Sequence, residues 1–162
     1  MHYFVADGMF GRFTRWLRML GCDVTYSNGA SDDWLLAIAE KERRVLLTRD
    51  LELFRRAKAR GVEAFFVEET NTSEKIAAVA KRYQIRLDFD TSISRCPTCG
   101  SVIRTVEKSE VSDKVPKGTF AHYTEFWICV GCSKVYWQGS HWTSIREIVG
   151  KAKKLAMEHS DS

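Results

Sequence analysis

The sequence predicts an α/β protein built on a mostly parallel sheet, followed by a smaller cysteine-bearing module. Three observations carry that reading. Short apolar runs alternate with amphipathic stretches through residue 90, the order that builds parallel strands joined by covering helices. Composition changes near residue 91: residues 1–90 hold 15 Lys and Arg, 14 Asp and Glu and a single cysteine, whereas residues 91–162 hold 10 and 7, four cysteines and both prolines. Two Cys-x-x-Cys pairs, Cys96/Cys99 and Cys129/Cys132, fall inside that second part. The expected organisation is an α/β domain over 1–90, a four-cysteine module over 91–150 and a basic helix end or tail over 151–162, with a polar linker near 89–95.

The elements follow in order. Tyr3–Ala6 is a short apolar run bounded by Asp7-Gly8, too brief for a helix. Phe13, Trp16, Leu17 and Leu20 recur at i, i+3, i+4 and i+7, the stripe of an amphipathic helix that stops at Gly21. Residues 23–26 read as a strand, and Ser31 as the N-cap of a helix running to Glu42. Val45–Thr48 is a buried-type strand, 51–60 a helix ending at Gly61, 64–67 a strand and 73–83 a helix. In the second part, 102–103, 123–128 and 135–137 read as ribbon strands, and a Lys-bearing helix begins near Thr143, its basic face that of a solvated tail.

The 162 residues carry 25 Lys and Arg against 21 Asp and Glu, a formal +4, with 44% hydrophobic residues. That suffices for a packed core and argues against wholesale disorder. No apolar run approaches the ~18 residues of a membrane span. The opening MHYFVADGMF has neither a basic start nor a long apolar stretch, so no secretion signal is expected. Five cysteines, an odd number, then point to a reducing, cytoplasmic setting with thiols used for something other than disulfides.

Acids cluster where an open parallel sheet gathers ligands, beyond the carboxyl ends of its strands. Asp7 follows the first strand, Asp50 follows Val45–Thr48 by one residue, and Asp32 and Asp33 open a helix facing the same edge. Carboxylates brought together repel one another unless a cation holds them ionised, and hard oxygen ligands suit Mg²⁺ or Mn²⁺. Such an ion activates water and stabilises charge on a phosphate. Taken singly, each acid also has a structural job: a turn residue at Asp7, helix-start acids at Asp32 and Asp33, a cap at Asp50. Glu52, two residues past Asp50, is a weaker fourth candidate and reads more readily as a surface residue.

Arg12, Arg15 and Arg18 lie on the polar side of the first helix, close behind Asp7, where guanidinium forks can hold phosphates. The alternative for the stripe is a solvated face. Arg49, inside the turn before Asp50, is placed to orient that acid or touch substrate.

The cysteine pairs are separated by 29 residues. Each knuckle presents two thiolates, and two knuckles close a tetrahedral Cys₄ zinc site with no position left for water, so the zinc is expected to be structural. A redox dithiol would need one pair at the start of a helix in a βαβ unit. Cys22, the odd thiol, reads as a buried hydrophobe. Tyr136, Trp137, His141 and Trp142 gather around Gly139, suited either to packing or to stacking on unpaired bases.

Phe4-Val5-Ala6-Asp7, Arg15-Trp16-Leu17-Arg18-Met19-Leu20-Gly21 and Leu47-Thr48-Arg49-Asp50 resemble the PIN-like ribonuclease domain found at the C-terminus of Mut-7 exonucleases and as free-standing prokaryotic proteins. Cys96-Pro-Thr-Cys99, Cys129-Val-Gly-Cys132, Val135-Tyr136-Trp137 and Gly139-Ser140-His141-Trp142 are similar to the second half of the same family. The resemblance spans roughly residues 3–148. It implies a three-layer α/β/α fold, metal-dependent cleavage of RNA and a C-terminal zinc ribbon. It aligns Asp7 and Asp50 with the family's metal-binding acids, leaves Asp32 or Asp33 for the middle acid with Asp32 favoured, and suggests a substrate contact for His141. General PIN nucleases carry a glutamate within a helix at that middle position, where this chain has aspartates at a helix start.

The expected function is a metal-dependent endoribonuclease acting on RNA, ribosomal or structured, with the ribbon helping to position it and no membrane involved. Two alternatives stand beside it: a metal-free nuclease using His141 as acid–base, and a non-catalytic RNA- or protein-binding adaptor.

Overall fold

The computed structural model describes residues 1–158; the last four residues of the expected 151–162 tail lie outside the described residues. The first part runs β1 (Tyr3–Ala6), α1 (Gly11–Met19), β2 (Asp23–Thr25), α2 (Asp32–Glu42), β3 (Val45–Thr48), α3 (Leu51–Ala59), β4 (Ala64–Phe66) and α4 (Thr72–Tyr83). The strands form one sheet of order β2-β1-β3-β4, with every pairing parallel.

Local chemistry sets the helix ends. The Ser31 hydroxyl accepts from Trp34 N at 3.1 Å and the Asn71 side chain from Glu74 N at 2.9 Å, satisfying amides that the first turns of α2 and α4 leave unpaired. Arg43 and Gln84 end the same two helices in left-handed conformations. Successive strand residues then sort to opposite faces. Phe4, Ala6 and Leu47 pack with Phe13 and Leu17 of α1 and with Ile76 and Val79 of α4. Val5 and Leu46 pack with Leu35 and Leu36 of α2 and with Leu53 of α3. Helices therefore cover both faces of the sheet, as expected of a three-layer fold.

The second part adds β5 (Ile103–Val106), α5 (Lys117–His122), β6 (Phe126–Cys129), β7 (Val135–Tyr136) and α6 (Trp142–Glu158). β5, β6 and β7 form an antiparallel sheet over a small core of Val106, Val111, Phe126 and Ile128. The short α5 was not legible in the sequence.

α6 is more than a solvated basic tail. Its residues at helical spacing, Val149 and Ala152, are buried in the same cluster as Phe4, and the helix packs along α4. The Ser73 hydroxyl donates to Ile148 O at 3.0 Å, and Lys153 Nζ donates to Asp88 Oδ1 at 2.8 Å. Only the lysine side of α6 faces water, where Lys151, Lys153 and Lys154 are exposed. Among the described residues, no helix is long and apolar enough to cross a membrane.

Candidate active site

The chain leaves β1 for β2 on one side and returns across it to β3 on the other, so the strand order reverses between β1 and β3. Crevices at such reversals are where open α/β sheets bind ligands. Asp7 directly follows β1 and Asp50 sits two residues beyond the end of β3, at adjacent strand ends. Thr48, fully buried, links them: its hydroxyl donates to Asp7 Oδ2 at 2.8 Å and accepts from Asp50 N at 3.0 Å. Asp7 N donates to Leu47 O at 3.0 Å, which continues the strand pairing one residue and fixes the Asp7 backbone. Asp50 Oδ1 also accepts from Leu53 N at 3.1 Å, so this acid caps α3 as well.

Asp32 stands in the first turn of α2. Its carboxyl is held above the usual range, first by loss of solvent and then by the negative charges of Asp50 and Asp7, with Arg56 opposing them. The charges of Asp50 and Asp7 therefore reach Asp32. Asp33 does not join them: its side chain is 85% exposed and accepts from Arg56 Nη2 at 2.6 Å. Arg56 Nη1 lies 3.8 Å from Asp32 Oδ2, which puts one cation beside both acids of the helix start. Glu52 is exposed, as expected, though its charge also reaches Asp32. Carboxylates are hard oxygen donors of the kind divalent cations take; among the described residues, the side chains gathered closely enough to hold an ion are the four cysteines.

The arginine stripe divides. Arg12 and Arg15 are exposed and make no hydrogen bond or ion pair among the described residues. Arg49 is exposed in the turn between Thr48 and Asp50. Arg18, expected on the phosphate-facing side, is instead only 7% exposed. Its Nε and Nη2 donate to Val24 O at 3.2 and 2.8 Å, and its Nη1 donates to Pro97 O and Thr98 O at 3.2 and 3.3 Å. Steps of three around a helix carry the third arginine toward the protein, where α1 meets β2 and the first knuckle, and its donors are spent on carbonyls there. Gly100 explains the close approach: at φ +83° a Cβ is strained in any case, and it would lie 2.9 Å from Arg18 Nε.

The four cysteine sulfurs lie within 4.8 Å of one another. Cys96 Sγ is 3.8 Å from Cys132 Sγ, and Cys99 Sγ is 3.3 Å from Cys129 Sγ. Tetrahedral Zn–S bonds of about 2.3 Å place sulfurs roughly 3.8 Å apart, so the cluster can hold a zinc ion. The second knuckle directs Gly131 N and Cys132 N at Cys129 Sγ, at 3.3 and 3.4 Å. Hydrogen bonds from Ser101 bring the Cys99 thiol down to about 6, whereas burial pushes Cys129 up to about 11. Cys22 is buried and pushed up to about 12 by desolvation, which leaves it an inert thiol.

His141 is exposed and lies with Arg12 and Arg15 on a cleft between α1 and the ribbon that none of the acids lines. Two residues in contact with these acids escaped the sequence reading. Thr48 stood inside the Leu47–Asp50 run, but nothing there distinguished a bridging hydroxyl from a strand threonine. Arg56 lies on α3, and no spacing pattern in the chain ties it to α2.

A family model described as Mut7-C RNAse domain matches residues 2–149. No curated protein and no solved structure matches the chain significantly.

Proposed function

Because the chain belongs to the Mut7-C RNAse domain family, we propose that it is a metal-dependent endoribonuclease whose ribbon binds structural zinc and helps to position RNA. The observation that carries this reading is the Thr48 bridge, which holds Asp7 and Asp50 together at the strand-order reversal of the sheet. Asp7, Asp32 and Asp50 would hold Mg²⁺ or Mn²⁺ through carboxylate oxygens. A bound ion of this kind supplies activated water and offsets the charge that develops on a phosphodiester.

The chain's own residues do the rest. Thr48 fixes the Asp7 carboxylate, and the α3 backbone fixes Asp50. Arg56 offsets the charge of Asp32 and Asp33. Arg12, Arg15 and Arg49 are exposed and without a hydrogen bond or ion pair among the described residues, which leaves their guanidiniums open to phosphates. Cys96, Cys99, Cys129 and Cys132 occupy every position of a tetrahedral ion, so the zinc holds the ribbon and takes no part in hydrolysis. Free cysteines throughout the described residues suit a cytoplasmic setting. The RNA is ribosomal or otherwise structured in this reading.

Purified protein incubated with Mn²⁺ and labelled RNA, beside Asp50→Asn, is the direct test. Cleavage that requires the metal and is lost in the variant is expected, and metal-dependent cutting that survives the substitution would remove Asp50 from its role. A 2′-deoxy nucleotide at the scissile position should still be cut, because water is the nucleophile; its resistance would favour His141 as acid–base. The capping bond from Leu53 N gives Asp50 a structural job as well, so binding of several RNAs with no cutting at all would favour the adaptor reading.

A further inference from the structure

One feature the acids do not use is the cleft of about 450 Å³ between α1, the ribbon and the start of α6. Its walls come from both parts of the chain. Trp16 projects from α1, while Trp127 and Tyr136 face each other across the β6–β7 pairing, and Trp137 and Trp142 close the far side. Except for buried Trp127, these rings are half-buried, so packing covers one part of each and the cleft leaves another open. Core packing alone would fill such a space; here five large aromatic side chains surround an opening instead.

The charge around the cleft selects among ligands. Arg12 and Arg15 stand on its α1 wall, about 4.5 Å apart along the helix axis, exposed and with no hydrogen bond or ion pair among the described residues. An occupant that combines a flat aromatic face with flanking negative charge satisfies both parts of the site. A purely apolar protein segment would fill the aromatic part and leave two guanidiniums unanswered. Because α1 follows β1, Arg12 lies on the end of the helix nearer Asp7, so a strand leaving the cleft past Arg15 and Arg12 runs toward the acids.

We propose that this cleft receives an unpaired nucleobase of single-stranded RNA, stacked among Trp16, Tyr136 and Trp137, with the adjoining phosphates on Arg12 and Arg15. The proposal rests on the ribonuclease reading and deepens it: the substrate has an unstacked nucleotide at a fixed distance from the scissile phosphate. Paired RNA, whose bases are stacked inside a helix, cannot fill the site without opening.

The test measures binding separately from cutting. Fluorescent single-stranded oligoadenylate is titrated with the full chain without added Mg²⁺ or Mn²⁺, alongside oligomers in which one base at a time is replaced by an abasic unit. One abasic position should weaken binding about fivefold or more, the loss expected for one stacked base. Trp137→Leu keeps apolar volume but removes the ring face, so it should weaken the parent oligomer similarly and erase the added penalty of the abasic position. Trp16→Leu repeats the test from the other wall, in case one variant disturbs the ribbon; circular dichroism and zinc content identify such disturbance. Uniform affinity across all abasic positions, or a penalty unchanged in both folded variants, overturns the proposal and leaves the cleft to a protein segment. Cleavage with Mn²⁺ is scored independently. Base-dependent binding without cutting sustains the cleft and sinks the nuclease, and cutting with no base dependence does the reverse.

Discussion

The Thr48 hydroxyl donates to Asp7 Oδ2 across 2.8 Å, tying the end of β3 to the first residue beyond β1. The same oxygen accepts from Asp50 N, so one buried side chain sets the spacing of two acids that are far apart in the chain. Thr48→Val keeps the shape and removes both bonds. Groups that orient a metal's ligands commonly matter by about 10–100-fold in metal affinity or activity, and an unpaired buried group costs about 1–3 kcal/mol. Thr48→Val should therefore lower cleavage and weaken the Mn²⁺ dependence by about that factor, with a small loss of stability. Thr48→Ser, which retains the hydroxyl, should recover most of the activity. Full activity in the valine variant would detach Thr48 from the site.

Arg18 bonds β2 on one side and the first cysteine knuckle on the other, through Val24 O, Pro97 O and Thr98 O. Replacing it with leucine leaves the buried Val24 carbonyl without this donor and unties half-buried Pro97 and exposed Thr98, at a cost of about 1–3 kcal/mol. The expected result is a lower melting temperature and easier loss of zinc to a chelator, because Pro97 and Thr98 lie between Cys96 and Cys99. Lys in place of Arg should not rescue, since a single ammonium cannot reach carbonyls on both sides as the planar fork does. Gly100→Ala presses on the same guanidinium and should loosen the knuckle in the same direction. Unchanged zinc retention in all three variants would sink this account.

What the chain disclosed before folding, and what it withheld, follows the range of the physics involved. The sheet and its helices were legible because apolar period and caps are local: Ser31 caps α2 and Asp50 caps α3 as their positions suggest. The cysteine cluster was legible because each knuckle is a four-residue pattern. That Asp32 senses the charges of Asp7 and Asp50 while Asp33 pairs with Arg56 depends on how α2 sits against β3 and α3, and neither is encoded nearby. Arg18 misled for the same reason. On a helical wheel it belongs with Arg12 and Arg15, and only the docking of residues 95–100 converts it into an interior residue. The apolar stripe of α6 was present in the sequence, but its lysines drew the reading toward a tail.

With Arg18 buried, α1 offers two guanidiniums for RNA phosphates. Single-strand binding loses affinity with salt at roughly 0.7 in log–log slope per phosphate contact, so α1 should account for a slope of about −1.4. Arg12→Gln and Arg15→Gln should each remove about 0.7 and leave the fold intact, because neither side chain has a hydrogen bond or ion pair among the described residues. Fluorescence titrations across a salt series supply the slopes. A wild-type slope unaffected by both substitutions would clear α1 of any phosphate contact.

The Lys153–Asp88 pair provides a pH probe of how α6 is docked. The hydrogen bond from Lys153, followed by its charge, lowers the Asp88 carboxyl below the ordinary range. A carboxylate depressed in the folded state stabilises above its unfolded value, about 3.9, and that contribution is lost as pH falls through the lowered folded value. The pair is exposed to water, so its effect on stability is small and screened by salt. Lys153→Met should therefore return the Asp88 titration, followed by carboxyl NMR shifts, toward its ordinary position and slightly flatten the acid limb of the stability curve. Melting at neutral pH should change little, since Val149 and Ala152 still bury the helix against α4. If Asp88 titrates identically in the wild type and the variant, α6 does not hold Lys153 where the structure places it.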